Sequence, residues 1–414
     1  MVDSSEDQPA GAALDDLRFL DEGARVRSEL ARRRTIRGFG VSAVVTSVWV
    51  IGVTAGGQWG RVADHAVAAL TMVFGSFVAG ATPQGGGAVA FPVFTKVLDV
   101  PAEAARSFSL CIQAVGMTSA SIAIIVGRRP VVWSAVAIGA PTGIAAFVAT
   151  LFVAGDRTAP FWPSTLPGPY IKVTFTLVVA AMAWVVLIGL RTPIRRVAPG
   201  LPDMGRRLRV ALVVAGALGG VASALVGSGS DVFMYLFVVV LFGVRGGIGV
   251  PTSVVTMAAV SVAGFVVLGL ADGQLWIDLT DSGLVTAVGG EALATPLPTR
   301  QADLFGMWLA AVPVVAWGAP IGAWVASRMS PRALVILALS VAVAEVTSTA
   351  IFLDELRSNP ALAAYAVIGL VVAIGGVMAL ALYRHRLFGL PVIDPSTMLT
   401  RASVEAAPDY HRDL

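Results

Sequence analysis

The chain is poor in the residues that most soluble chemistry uses: its 414 residues include one cysteine and three histidines. Cys111 falls within an apolar run, so a disulfide framework is excluded, and neither zinc-ligand nor thioredoxin-type spacing exists. His65, His385 and His411 fall in expected loops or in the tail. A membrane serine protease would lack its histidine base. No H-E-x-x-H pair and no P-loop lysine is present, which excludes a zinc protease and an ATP-driven pump within this chain and leaves no metal or cofactor implied. Charge is the scarcest commodity: 13% of residues are charged and 56% hydrophobic, with a mean hydropathy of +0.81. A water-facing globular surface cannot be built from that composition, and an integral membrane protein can.

The charges that exist are gathered at the edges. Thirty-six of 55 lie in residues 1–37, 191–209, 272–304 and 384–414. The net charge of +3 therefore belongs to the flanks of apolar segments, which argues for membrane topology and against nucleic acid. The first apolar run follows 37 polar residues and lacks a cleavage site leading into a soluble domain, so it reads as a first span.

About 20 apolar residues cross a bilayer at 1.5 Å rise each. The windows that satisfy this are 38–56, 104–127, 131–154, 168–190, 249–271, 305–327, 332–353 and 362–383. Two further apolar regions, 66–99 and 209–244, are each too long for one helix and are broken by turn formers, Pro83-Gln84-Gly85-Gly86-Gly87 and Gly227-Ser228-Gly229-Ser230. Each reads as a helical hairpin. The second arms, about 86–98 and 231–243, reach only about 20 Å of a core of about 30 Å, which favours re-entrant hairpins with tips inside the membrane over short complete spans joined at its surface. Non-helical backbone at that depth must be packed in protein or face a watery cavity.

Arginine sets the orientation. Seven arginines from Arg18 to Arg37 and six from Arg191 to Arg209 place both segments in the cytoplasm. Arg128-Arg129, Arg328 with Arg332, and Arg384 with Arg386 are then also inside, provided each hairpin enters and leaves by one face. The first hairpin enters from outside and the second from the cytoplasm. The expected fold is thus an all-α polytopic membrane protein, an inverted repeat with two re-entrant or broken hairpins. A shift of 142 residues superposes Gly85 on Gly227, Gly87 on Gly229 and Phe91 on Phe233. Its parts are a cytoplasmic arm (1–37), amphipathic over its leucines and disordered at its start, a first membrane half (38–190), a basic cytoplasmic loop (191–208), a second half (209–383) with an acidic external loop (272–304), and a cytoplasmic tail (384–414).

Each second arm begins at a glycine-rich tip, where a helix N-terminus offers unpaired N–H groups and about half a positive charge. Two such ends facing the middle of the protein make an anion site that needs no arginine. Glycine is required because a Cβ would keep the ligand from the backbone. Gln84, Gly85, Gly86 and Gly87 from the first tip and Ser228, Gly229 and Ser230 from the second are the expected substrate-binding set, with Ser109 and Gln113 supporting them at i,i+4 on the following span. The same polar groups also suit interhelical bonding.

Of the intramembrane charges, Arg106 either steers anions or snorkels, while Lys96 and Lys172 are expected to snorkel. Asp231 is expected to cap the second half-helix; the sharper alternative links its protonation to anion binding. Glu345 would face inward to a partner or a proton path. The run Gly227-Ser228-Gly229-Ser230-Asp231 is superficially similar to an intramembrane aspartyl protease, but no second intramembrane aspartate accompanies it, Asp99 lying at a segment boundary.

Gly85-Gly86-Gly87-Ala88-Val89-Ala90-Phe91-Pro92, then Val100-Pro101, then the run from Ala105-Arg106-Ser107-Phe108-Ser109 through Gln113 to Met117-Thr118, resemble the sulfite exporter TauE/SafE permease family. The resemblance is dense over 80–125 and extends by architecture over most of 38–383. It implies a plasma-membrane permease of two related halves that moves sulfite, sulfonates or other small organosulfur anions, with protons as an open coupling partner. An anion channel and an assembly subunit remain as alternatives: half-helix dipoles can line a pore as readily as a carrier site.

Overall fold

The computed structural model describes residues 36–153, 166–191, 205–277 and 303–388. The arm over 1–35, most of the basic and acidic loops, and the tail from 389 lie outside the described residues. In order, the helices are α1 (Gly40–Ala55), α2 (Trp59–Asp64), α3 (Ala66–Ala81), α4 (Gly87–Lys96), α5 (Ala102–Val126), α6 (Trp133–Val153), α7 (Gly168–Arg191) and α8 (Arg206–Val226). They continue with α9 (Ser230–Tyr235), α10 (Gly246–Gly264), α11 (Leu304–Ala326), α12 (Pro331–Phe352), α13 (Glu355–Ser358) and α14 (Pro360–Phe388). Among the described residues, nine helices are long and apolar enough to cross a membrane. The protein is an all-α polytopic membrane protein.

The eight expected spans are all present, within a few residues of their hydropathy windows. The ninth is the first arm of the second hairpin, α8, a helix of 21 residues, about 31 Å long. The corresponding α3 has 16 residues, about 24 Å. The second arms are short in both cases. α4 has 10 residues, and α9 runs on into a π-helical segment, Leu236–Leu241, in which Phe242 N–H bonds Phe237 O at 3.0 Å. A second π segment, Phe265–Ala271, ends α10. Such wide turns cost hydrogen-bond geometry and tend to be kept where function needs them.

Without water to drive them together, membrane helices associate through close packing of small residues. Two interfaces show it. α3 packs along α11, where a Cβ on Gly80, Gly318 or Gly322 would run into the facing helix. α8 packs along α6 in the same way, through Gly216 and Gly220 against the backbone of Gly139 and Gly143. Under the correspondence α3 to α8 and α6 to α11, taken in chain order, each interface maps onto the other. Between them, α5 and α10 cross at the centre. α5 is the most enclosed span, 67% of its best window being buried, whereas α1 (17%) and α14 (11%) are peripheral and turn large apolar side chains outward. Ile51, Val367 and Val372 on those faces suit lipid.

Candidate functional site

The first tip forms because α3 cannot continue past Ala81. Thr82 is extended, its hydroxyl bonding back to Val78 O at 3.0 Å and accepting the Gln84 N–H at 3.4 Å. Gly85 turns the chain with φ +68°, a conformation that a Cβ disfavours. α4 then starts at Gly87, and Gly86 O takes the N–H groups of Val89 and Ala90. The Gln84 amide donates to Ala338 O on α12 at 3.0 Å, tying the tip to another helix.

The second tip is tighter. Gly227 ends α8 in the left-handed region (φ +78°), and Gly229 occupies the cap position of α9 with φ +139°. Ser223 Oγ accepts the Ser230 N–H at 3.2 Å and pairs with Ser230 Oγ at 2.9 Å, so the arms are stitched together just behind the turn. Asp231 lies one position inside the first turn, with Oδ1 accepting the Val232 N–H at 2.9 Å.

The two tips are buried and meet. A Cβ on Gly85 would stand 2.7 Å from Asp231 Oδ2, 3.1 Å from Gln113 Oε1 and 3.2 Å from Ser228 Oγ. One on Gly87 would stand 3.1 Å from Ser109 Oγ and 3.4 Å from Ser228 Cβ. α5 is the strut between them: Ser109 Oγ and Gln113 Nε2, one turn apart, donate to Gly227 O at 3.3 and 3.0 Å, and Gln113 Nε2 also donates to Ser109 Oγ at 2.7 Å. The donors expected from Ser109 and Gln113 are therefore engaged in holding the second tip. What they leave facing Gly85 is oxygen: Gln113 Oε1, Ser228 Oγ and Asp231 Oδ2 have no hydrogen-bond partner in the protein, and neither has Gln84 Oε1 at the first tip.

Not every expected residue joins this centre. Gly86 faces back to α3, against Ala79 and Gly75. Arg106 is fully buried, near the charges of Glu103 and Asp272, and does not snorkel; its backbone carbonyl lies against Gly227. Glu345 is in a separate polar cluster. Lys96, expected at an interface, is buried there instead, its Nζ 3.0 Å from both Glu345 oxygens, 2.9 Å from Ser348 Oγ and 2.7 Å from Thr349 Oγ1. Thr176 of α7 adds a bond to Glu345 Oε1 at 2.7 Å. One sequence carries no signal that pairs positions this far apart, so Thr176, Ser348 and Thr349 were not legible as partners.

A cavity of about 570 Å³ borders both hairpins. Thr82 and Pro83 of the first hairpin and Tyr235 and Val239 of the second line it, and Arg129 and Arg245 are the cationic residues around it. Ala338, whose carbonyl holds Gln84, also lines it. Gly85, Gln113, Ser228 and Asp231 are buried and are not among its lining residues.

A helical membrane protein whose chain is twice broken by glycine, with both breaks buried against one another, has the construction by which membrane transporters place irregular backbone at a binding site. The family model for the sulfite exporter TauE/SafE matches residues 67–346, from the first turn of α3 to the residue after Glu345. The chain belongs to that family. No curated protein and no solved structure matches it.

Proposed function

We propose that the chain is a secondary transporter that carries a small sulfur-containing oxyanion, sulfite or a sulfonate, by alternating access, and that the meeting point of its two tips is the site. The observation that carries this reading is the burial of Gly85 and Gly87 against Ser228 and Asp231, with a cavity lined by the neighbouring Pro83. Backbone N–H groups of residues 85–88 at the start of α4 suit an oxyanion, and the glycines let it approach the main chain. Arg129 and Arg245 around the cavity favour anions on the way in. By the arginine distribution that side is cytoplasmic, and the family points to the plasma membrane.

The exchange of α3·α11 with α8·α6 supports two halves related by an inverted repeat, whose rocking would open the site to either side in turn. The barrier between cavity and cluster favours a carrier over an open pore. A carboxylate beside the site repels an anion, so transport requires a positive charge to neutralise Asp231 as the substrate binds.

The test is uptake of ³⁵S-sulfite into proteoliposomes, with thiosulfate, sulfoacetate, sulfate and carboxylates as competitors. Saturable flux competed by sulfonates is expected, and Gly85→Ala, which places a methyl group among three polar oxygens, should abolish it while the protein still inserts and folds. Unchanged flux in Gly85→Ala would move the site elsewhere. Non-saturating current would reassign the protein as a channel.

A further inference from the structure

We infer that the tip cluster also holds a monovalent metal cation, of the sodium class, bound by Asp231 Oδ2, Gln113 Oε1 and Ser228 Oγ around Gly85, and that this ion is the charge which lets the anion bind. The inference rests on the transport reading above for its role, though not for its geometry.

Three facts converge. First, the oxygens are buried, with Asp231 at 0% exposure and Gln113 and Ser228 at 3% each, and none has a hydrogen-bond partner in the protein. An orphaned buried polar atom costs about 1–3 kcal/mol, and a charged one more, so three gathered in one place call for a common partner. Second, all three lie around one point: 2.7, 3.1 and 3.2 Å from the position of a Gly85 Cβ. Third, Asp231 has no ion-pair partner among the described residues. A buried unpaired carboxylate is the costliest arrangement of the set.

The ligand type follows from the atoms. Two of the three, the carboxylate oxygen and the amide oxygen, offer only lone pairs, and the Gln113 amide nitrogen is committed to Gly227 O and Ser109. The cluster therefore attracts a positive species. A proton on Asp231 would neutralise the carboxylate and, with the Ser228 hydroxyl, supply two donors, each serving a single hydrogen bond. A hard cation takes several oxygens at once, at about 2.3–2.6 Å for an ion of calcium's size, and sodium is of similar radius. One carboxylate balances one charge, which selects a monovalent ion over calcium, and oxygen donors select against zinc or copper. The C-terminus of α8, ending at Gly227, adds the negative end of a helix dipole beside the same atoms. With the ion in place the cluster is neutral, and an oxyanion at the N-terminus of α4 meets no net repulsion. Each ligand then tightens the other by the same factor.

The experiment is ²²Na⁺ binding to the purified full chain in detergent at fixed pH and ionic strength, choline replacing sodium, together with thermal unfolding in sodium, potassium or choline chloride. Saturable ²²Na⁺ binding and a higher Tm in sodium than in choline are expected. Asp231→Asn should lose saturable binding. Ser228→Ala, which removes a hydroxyl without a protein partner and so costs little in folding, should weaken it about 10- to 100-fold. Absence of saturable binding in the native chain, or equal affinity in Ser228→Ala and native protein, overturns the inference. Sulfite flux driven by a pH gradient in choline alone would also overturn it while leaving the transport reading intact. Sodium binding with no flux of any anion would sink the transport reading and leave the cation site standing.

Discussion

The two hairpins use the same device, a glycine break inside an apolar run, and are held in different ways. The second is sealed by backbone. Gly227 lies on the Arg106 carbonyl, its own carbonyl is bonded from α5, and residues 227–242 are buried with only Phe233 partly open. Both hairpins border the cavity, the first at Thr82 and Pro83 and the second at Tyr235 and Val239, but the first is joined to α12 by long side chains, Gln84 to Ala338 and Lys96 to Glu345. A seam made of a few discrete polar bonds beside a cavity can break and re-form as a unit, whereas a glycine-on-backbone seam cannot part without leaving carbonyls unpaired at membrane depth. The difference teaches that two breaks alike in sequence can be held by unlike contacts: the second hairpin by glycine-on-backbone packing, the first by a few polar side-chain bonds to α12.

The largest effect is expected where the first hairpin is anchored. Lys96→Met leaves Glu345 as a buried charge without its cation, which in comparable settings costs about 3–5 kcal/mol. Thermal unfolding of the purified protein should show that loss, and the double variant Lys96→Met with Glu345→Met should regain most of it. A single variant as stable as the native chain would show that the pair does not hold α4 to α12. Next in size is the contrast between tip glycines. Gly227→Ala forces a side chain into the left-handed region, worth about 1–2 kcal/mol, and its Cβ would lie 2.6 Å from Arg106 O. Gly86→Ala meets nothing nearer than Ala79 Cβ at 3.4 Å and needs no unusual φ, so it should unfold within about 1 kcal/mol of the native protein. Equal losses at the two positions would show that Gly86 is as constrained as Gly227.

Hydropathy and glycine placement made the frame legible. Spans such as α5 and α11 announce themselves by length alone, and Gly85 and Gly227 were readable as breaks because each interrupts an apolar run too long for one helix. The candidate site was legible only as a neighbourhood: Ser109 and Gln113 at i,i+4 bond the second tip at Gly227 O. Their direction was not. That the Gln113 amide turns its nitrogen to Gly227 and its oxygen to Gly85 depends on where another helix ends. α8 was read as a hairpin arm and not counted among the eight spans, because its apolar run continues past the break at Gly227. The Lys96–Glu345 pair escaped for the same reason as the Arg61–Asp303 pair: both join residues more than 240 positions apart.

That second pair gives the smallest and most external handle on the first hairpin. Arg61 grips Asp303 through Nε and through Nη2 at 2.7 Å, just outside the span of α11, while His65, buried at the head of α3, approaches the same carboxylate at 3.8 Å. Asp303 also accepts the Gly306 N–H at 2.9 Å, capping α11. Burial alone would raise its pKa, but the hydrogen bonds from Arg61 and Gly306 and the nearby positive charge of Arg61 outweigh burial and hold it below the ordinary carboxylate value. A depressed folded-state pKa contributes stability above the unfolded value, about 3.9, and that contribution is lost as pH falls through the folded value. Arg61 is 39% exposed, so solvent screens the pair and the effect should be modest. Thermal unfolding as a function of pH should therefore show a small acid limb below about pH 4, absent in Asp303→Asn. An identical limb in the variant would assign acid sensitivity to other carboxylates and remove this clamp from the account of how the first hairpin is held.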